Sequence, residues 1–230
     1  MKIYFSGIDI REGKIKYGDD RLEKLAQMFK PKKTIPFFAE FISSAPAQAD
    51  AFAVTKETLS DILIPDMEKF EARILRSESA EEKKLSEKCI AALSEEKPLC
   101  DIDFEEPERS LLVTLAPFSL KPVVIQAEKN SGINDIIKQT LKKAGIMFFY
   151  TVGKDECRAW PAEENSSAIV CAGKIHTDLA RGFIRADIVS YSDLMKVFNL
   201  REAKEKGLVK TVERDYIVKD GDIIDIRFNV

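Results

Sequence analysis

A change of hydrophobic period near residue 146 divides this chain into two folding problems. Upstream, apolar residues recur at helical spacing. "DDRLEKLAQMFK" places Leu22, Leu25 and Phe29 on one stripe, with Asp19 or Asp20 set to cap and Pro31 to stop the helix. "TKETLSDILIPDMEKFEARIL" aligns Leu59, Ile62, Met67, Phe70 and Ile74. After a polar bend at Ser77–Ser79, Leu85, Cys89 and Leu93 follow at i, i+4, i+8. These segments predict a two-helix antiparallel hairpin over about 56–97, its dense charge forming a solvated face. "SGINDIIKQTLKKAG" predicts a further helix stopped at Gly145. Downstream the period becomes two: "DIIDIRFNV" alternates Ile224, Ile226, Phe228 and Val230 with Asp225, Arg227 and Asn229.

Strands are predicted at Lys2–Phe5, Thr34–Ser43 and Lys121–Ala127, while Leu111–Leu115 fits a strand or part of a helix. Alternating with helices, they imply an α/β layer. Beyond 146, strands are expected at Met147–Thr151, Arg158–Trp160, Phe183–Val189 and Tyr216–Val218, with a helix over Tyr191–Lys206 and a hairpin turn at Asp220-Gly221. That half predicts a small mixed sheet with one crossing helix. The expected domains are 1–146 and 147–230.

Hydrophobic residues make up 45% of the chain and charged ones 33%, an ordinary globular balance. The net charge of −3 gives no global field toward nucleic acid or anionic lipid, so such contact would need a local patch. The N-terminus lacks the apolar core of a signal peptide, and no apolar run approaches membrane-spanning length. Cys89, Cys100, Cys157 and Cys171 are scattered and His176 is the single histidine, so reduced cysteines and no metal or other cofactor are expected. The anticipated location is cytoplasmic.

Near the N-terminus, Gly7 and Gly13-Lys14 approach the phosphate-loop pattern GxxxxGK[ST]. Five residues separate the glycines, and Ile15 stands where Ser or Thr belongs.

The most specific stretches are "GIMFFYTVGKDECRAWPAEENSSA", "AGKIHTDLARGFIRADIVSYSDLM" and "RDYIVKDGDIIDIRFNV". They resemble the C-terminal TGS domain of the YchF/Obg-like ATPase family, which implies a ubiquitin-like β-grasp fold. "DDRLEKLAQMFKPKKTIPFFAEF" is similar to the family segment leading into its second core strand. The hairpin resembles a shortened coiled-coil insertion, and "LKPVVIQAEKN" resembles the strand that carries the base-specificity motif. The resemblance therefore implies a truncated P-loop-NTPase-like α/β domain ahead of the TGS-like domain. It also places Ser43 and Pro46 at the family's DxxG positions, and Glu128 and Ser131 at its base-reading positions. Proline lacks the N–H that senses a γ-phosphate, and a carboxylate lacks the amide's donor. On these losses the expectation is a protein that is not an enzyme.

Lys174, His176, Arg181 and Arg185 are the candidate residues for RNA or partner contact. The alternative is that they brace the fold, with Asp178 pairing an arginine. A catalytic His–Asp role lacks a placed nucleophile. Lys30, Lys32 and Lys33 read as a solvated turn. Trp160 reads as a core anchor rather than a base-stacking platform, and Met147–Tyr150 as core or interdomain packing. The expected function is a non-catalytic binding protein acting through protein, ribosome or RNA contacts of the TGS-like domain. A nucleotide or phosphometabolite held by a non-standard site in the α/β region is the alternative. Loss of covering helices also exposes strand edges, so a homodimer or a heteromeric partner is expected.

Overall fold

The computed structural model describes residues 1–126 and 132–229. In chain order its strands are β1 (Lys2–Ser6), β2 (Gly13–Lys16), β3 (Lys33–Ile35), β4 (Phe38–Ile42), β5 (Ala51–Thr55), β6 (Val123–Gln126), β7 (Ile146–Val152), β8 (Glu156–Glu163), β9 (Phe183–Ser190), β10 (Lys210–Val212) and β11 (Asp222–Phe228). The α-helices are α1 (Asp20–Phe29), α2 (Ser60–Arg76), α3 (Ala80–Ser94), α4 (Glu106–Leu115), α5 (Ile133–Lys143), α6 (Ala168–Ile175), α7 (Thr177–Arg181), α8 (Tyr191–Leu194) and α9 (Leu200–Glu205). Two compact units result: Met1–Ile15 with Phe38–Ala144, and Lys16–Phe37 with Gly145–Val230. The chain passes between them three times, where the sequence suggests one division at 146/147.

The first unit holds a sheet ordered β2-β4-β1-β5-β6. β1 runs parallel to β4 and β5, and β5 parallel to β6. Every residue of β5 is buried, as befits a central strand covered on both faces. The α2–α3 hairpin packs its stripe of Ile62, Phe70, Leu85, Cys89 and Leu93 into one core with Phe52, Val54 and Leu112. Its bend is closed by Glu82, which accepts from Arg73 Nε at 2.9 Å and from the Ser77 hydroxyl at 2.6 Å. The Ser79 hydroxyl caps α3 by accepting from Glu82 N–H. The buried Asp66 of α2 accepts from the N–H groups of Phe118 and Ser119 and from the Ser119 hydroxyl, at 2.6–2.7 Å. These bonds satisfy a carboxylate with no exposed surface.

The second unit is a mixed sheet ordered β10-β9-β11-β7-β8-β3. β7–β8 and β9–β11 are antiparallel, whereas β11–β7 and β3–β8 are parallel. One sheet face packs Phe149, Trp160, Ala186, Ile188 and Ile224 against Ala168, Cys171 and Ala172 of α6. Trp160 stacks on Phe149 with 6.4 Å between ring centroids and donates to the Thr151 hydroxyl at 3.0 Å, so it is a core anchor. Segment 16–37 belongs to this unit through a buried network. The Tyr150 hydroxyl donates to Asp19 at 2.6 Å, and Asp19 also caps α1 by accepting from Arg21 N–H. Arg21 then makes a two-pronged pair with Asp220, which accepts from Phe148 N–H. Tyr17 stacks on Phe148 at 5.7 Å.

Several elements differ from the sequence reading. Thr34–Ser43 is two strands in two sheets, because Pro36 between β3 and β4 has no N–H for a ladder. Leu111–Leu115 ends helix α4, which is one of the two readings its sequence allows. The helix expected over Tyr191–Lys206 is α8 and α9, with the Asn199 side chain capping α9 by accepting from Glu202 N–H. Asp220-Gly221 is a turn, with Gly221 at φ +92°, but β11 pairs with β9 and β7 rather than with Tyr216–Val218. That last segment forms only a bridge between Ile217 and Ser167. β5, β10 and α6 carry no clear local signal and were not expected as elements.

Candidate functional site

In an open parallel sheet, ligands sit at the carboxyl ends of strands where the connection order reverses. Here β1 lies between β4 and β5, so Ser6, Ser43 and Thr55 mark that point. The Thr58 hydroxyl donates to the Ser6 carbonyl at 3.0 Å and lies 3.3 Å from the Thr55 hydroxyl. The Ser6 hydroxyl donates to Asp61 at 3.0 Å. Gly7 stands at φ +73°, and a Cβ there would lie 2.5 Å from the Thr55 hydroxyl oxygen. Glu12 closes the β4 end by accepting from both the N–H and the hydroxyl of Ser43 at 2.6 Å. These bonds hold the Glu12 carboxyl below its usual pKa, the Ser43 hydroxyl contributing most. Gly7–Glu12 connects β1 directly to β2, and Gly13-Lys14 opens β2 itself. Pro46 begins a 3-10 turn. Glu128 and Ser131 lie outside the described residues.

In the second unit, Lys174 is exposed on α6 and makes no ion pair among the described residues. His176 bridges α6 and α7, its Nδ1 accepting from Asp178 N–H at 3.1 Å. Arg181 pairs with Asp178 at 2.9 Å and stays largely exposed. Arg185 stands apart. Its neighbours Ala186 and Ile188 alternate into the core beneath α6, so by the pleat Arg185 projects from the other sheet face, where it pairs with Glu213 at 3.1 Å.

Sequence reasoning missed the strongest charge cluster on that second face. Buried Asp187 accepts from Arg227 at 2.7 Å and from the Thr211 hydroxyl at 2.8 Å, and lies 3.2 Å from Lys204. Burial opposes its ionisation, but the bonds from Arg227, Thr211 and Lys204 prevail and hold its pKa low. No local pattern announces this meeting; only the alternation placing Asp187 and Arg227 at period-two positions hints at it. Among the described residues, no group of three or more His, Cys, Asp or Glu could hold a metal ion, and no helix is long and apolar enough to cross a membrane.

An open parallel α/β sheet and a helix-crossed mixed sheet in one chain define a two-unit α/β and α+β protein. Residues 146–229 match the family model YchF-GTPase_C, described as "Protein of unknown function (DUF933)". Ribosome-binding ATPase YchF of Bacillus subtilis is 27% identical over 333 aligned residues, covering 98% of this chain and 91% of that protein. The alignment is longer than the 230-residue chain, so part of it faces gaps here. The same-named proteins of Mycoplasma genitalium and Escherichia coli O157:H7 are 38% and 40% identical over 100 and 99 residues, in each case 27% of their own length. The solved Schizosaccharomyces pombe YchF GTPase has a similar fold, with a TM-score of 0.78 and 19% identity, covering 96% of this chain and 88% of that one. The chain is therefore similar to YchF proteins over nearly its whole length, and its residues 146–229 match the model of their C-terminal part.

This similarity corrects the expectation that the chain is not an enzyme. Its relatives are named ATPases and the similar solved structure a GTPase, which points to an enzyme family. The expectation rested on residues missing from motif positions. Such a loss says what those positions do not do, and leaves open what other residues do.

Proposed function

We propose that this chain is a cytoplasmic, ribosome-contacting member of the YchF family whose second unit is a TGS-like β-grasp domain that meets RNA. The observation that carries this reading is the exposed group of Lys174, His176 and Arg181 on α6 and α7, within the part matched by the family model. Lys174 has no ion-pair partner among the described residues, and Arg181 shares only Asp178, so both have donors for phosphate oxygens. Arg185, on the other sheet face, is a separate contact. Ribosome co-sedimentation across a salt series tests this. Lys174→Glu with Arg181→Glu should weaken binding and lower the salt slope by about one per lost phosphate contact. Arg185→Glu should act less. Unchanged sedimentation of the double variant would remove the reading.

The switch-point geometry of β1, β4 and β5 favours a second reading, in which a nucleotide or phosphorylated metabolite binds the first unit through residues other than the usual motifs. Thermal shift with ATP, GTP and their diphosphates plus magnesium tests it. Stabilisation that depends on Ser43, whose N–H Glu12 now occupies, is the expected outcome; no shift with any of them counts against it.

A further inference from the structure

β6 ends its sheet. The Phe52 N–H donates to the Pro122 carbonyl at 2.8 Å. With Phe52 opposite Val123 and Val54 opposite Ile125 in parallel register, the main-chain groups of Val124 and Gln126 turn toward β5, and those of Val123 and Ile125 turn outward. The outward pair at Val123 is already claimed. Its carbonyl accepts from Lys143 Nζ at 2.6 Å, and its N–H reaches the Cys100 sulfur. The outward N–H and carbonyl of Ile125 have no partner among the described residues, and its side chain is 40% exposed. A natural sheet edge is usually blunted by charge, proline or a bulge. This one is blunted at Val123 and open at Ile125.

Beside the open position runs a groove of about 500 Å³ lined by Val123, Val124, Ile125, Gln139, Lys142 and Lys143. Its floor is the apolar strand and its rim is basic. Lys138 and Lys142, four residues apart, share one stripe of α5. Lys142 makes no ion pair among the described residues, whereas Lys143 is tied to Asp101 at 2.7 Å. We propose that the outer edge of β6 is a strand-addition site for an extended, acidic segment of a partner protein. The segment's backbone pairs with Ile125, its apolar residues enter the groove, and its carboxylates meet Lys142 and Lys138. Charge selects this occupant over a second copy of the chain. Two copies paired edge to edge would set Lys138 and Lys142 against the same residues of the other copy, and like charges facing each other repel.

The test uses the full chain and an end-blocked eight-residue peptide of alternating valine and glutamate, with a valine–lysine peptide as control, read by calorimetry. The acidic peptide should bind and the basic one should not. Ile125→Pro removes the outward N–H at an edge position that tolerates proline, and should weaken binding at least about tenfold. Lys142→Glu, an exposed change that leaves the edge intact, should weaken the acidic peptide and admit the basic one. Equal binding of both peptides, no binding, or affinity unchanged in both variants overturns the proposal. So does a concentration-dependent dimer in sedimentation that Ile125→Pro dissolves, which would assign the edge to a second copy.

Discussion

Gly7 shows how a single residue constrains the first unit. Its φ of +73° disfavours any side chain, and the Thr55 and Thr58 hydroxyls fill the space a Cβ would need. Gly7→Ala should therefore destabilise the chain by about 2 kcal/mol or more, read from the urea midpoint at unchanged slope. The glycine was legible in the sequence as a strand end, but the two threonines that crowd it lie some fifty positions away. Asp222 makes a second residue-scale case. Burial raises its carboxyl pKa above the ordinary value, a bond from Lys219 N–H opposing. A raised carboxyl means that the unfolded chain ionises first, so stability falls as pH climbs through the window between the ordinary and the raised value. Asp222→Asn keeps an acceptor for Lys219 and should be more stable than the parent at pH 7, with the gain shrinking as pH drops below the ordinary carboxylate range. Urea titrations at pH 7 and pH 3.5 check this; a gain that persists undiminished in acid would refute it.

At the scale of elements, local chemistry was readable where an element ends itself. Asp19 caps α1, Ser79 caps α3, and the stripe of α3 is the one spacing predicts; in α2 the predicted Ile62, Met67 and Phe70 reach the core, joined by Leu63, while Ile74 stays outside it. Elements defined by burial were not readable. β5 is five residues buried on both faces, with none of the alternation that marks a half-exposed strand. The tie between α2 and the turn at Phe118–Leu120 was equally hidden, because Asp66 sits on a helix that otherwise reads as a solvated hairpin arm. Asp66→Asn replaces one acceptor oxygen with a donor, which then faces either the N–H of Phe118 or the N–H and hydroxyl of Ser119. It should cost about 2–4 kcal/mol, and differential denaturation of the variant and parent measures it.

At the scale of the whole molecule, the division of the chain is the main departure from a linear reading. Residues 16–37 belong with 145–230, and Asp19 meets its partner Tyr150 although 131 positions of sequence separate them. In native-state hydrogen exchange, the amides of α1 should lose protection together with those of β7 when Tyr150→Phe removes the buried bond to Asp19, while β5 keeps its protection. Protection of α1 that follows β5 instead would place the segment in the first unit. The functional class shows the same dependence on more than local pattern. Single positions such as Ser43 and Pro46 suggested a chain outside the enzymes, and the relatives matched over nearly its whole length reversed that reading.

By itself, the sequence determined the features whose partners lie within a turn or two: caps, helix stripes, the turn at Asp220-Gly221 and the alternation of β11. Neighbours so close meet in almost any compact arrangement of the chain, so residue type and spacing suffice. Only the tertiary structure decided that Pro36 separates strands of different sheets, that Arg185 leaves the group formed by Lys174, His176 and Arg181, and that β6 is an open edge. Those outcomes depend on which strands pair and which faces are covered, and pairing joins residues whose distance along the chain carries no local signal.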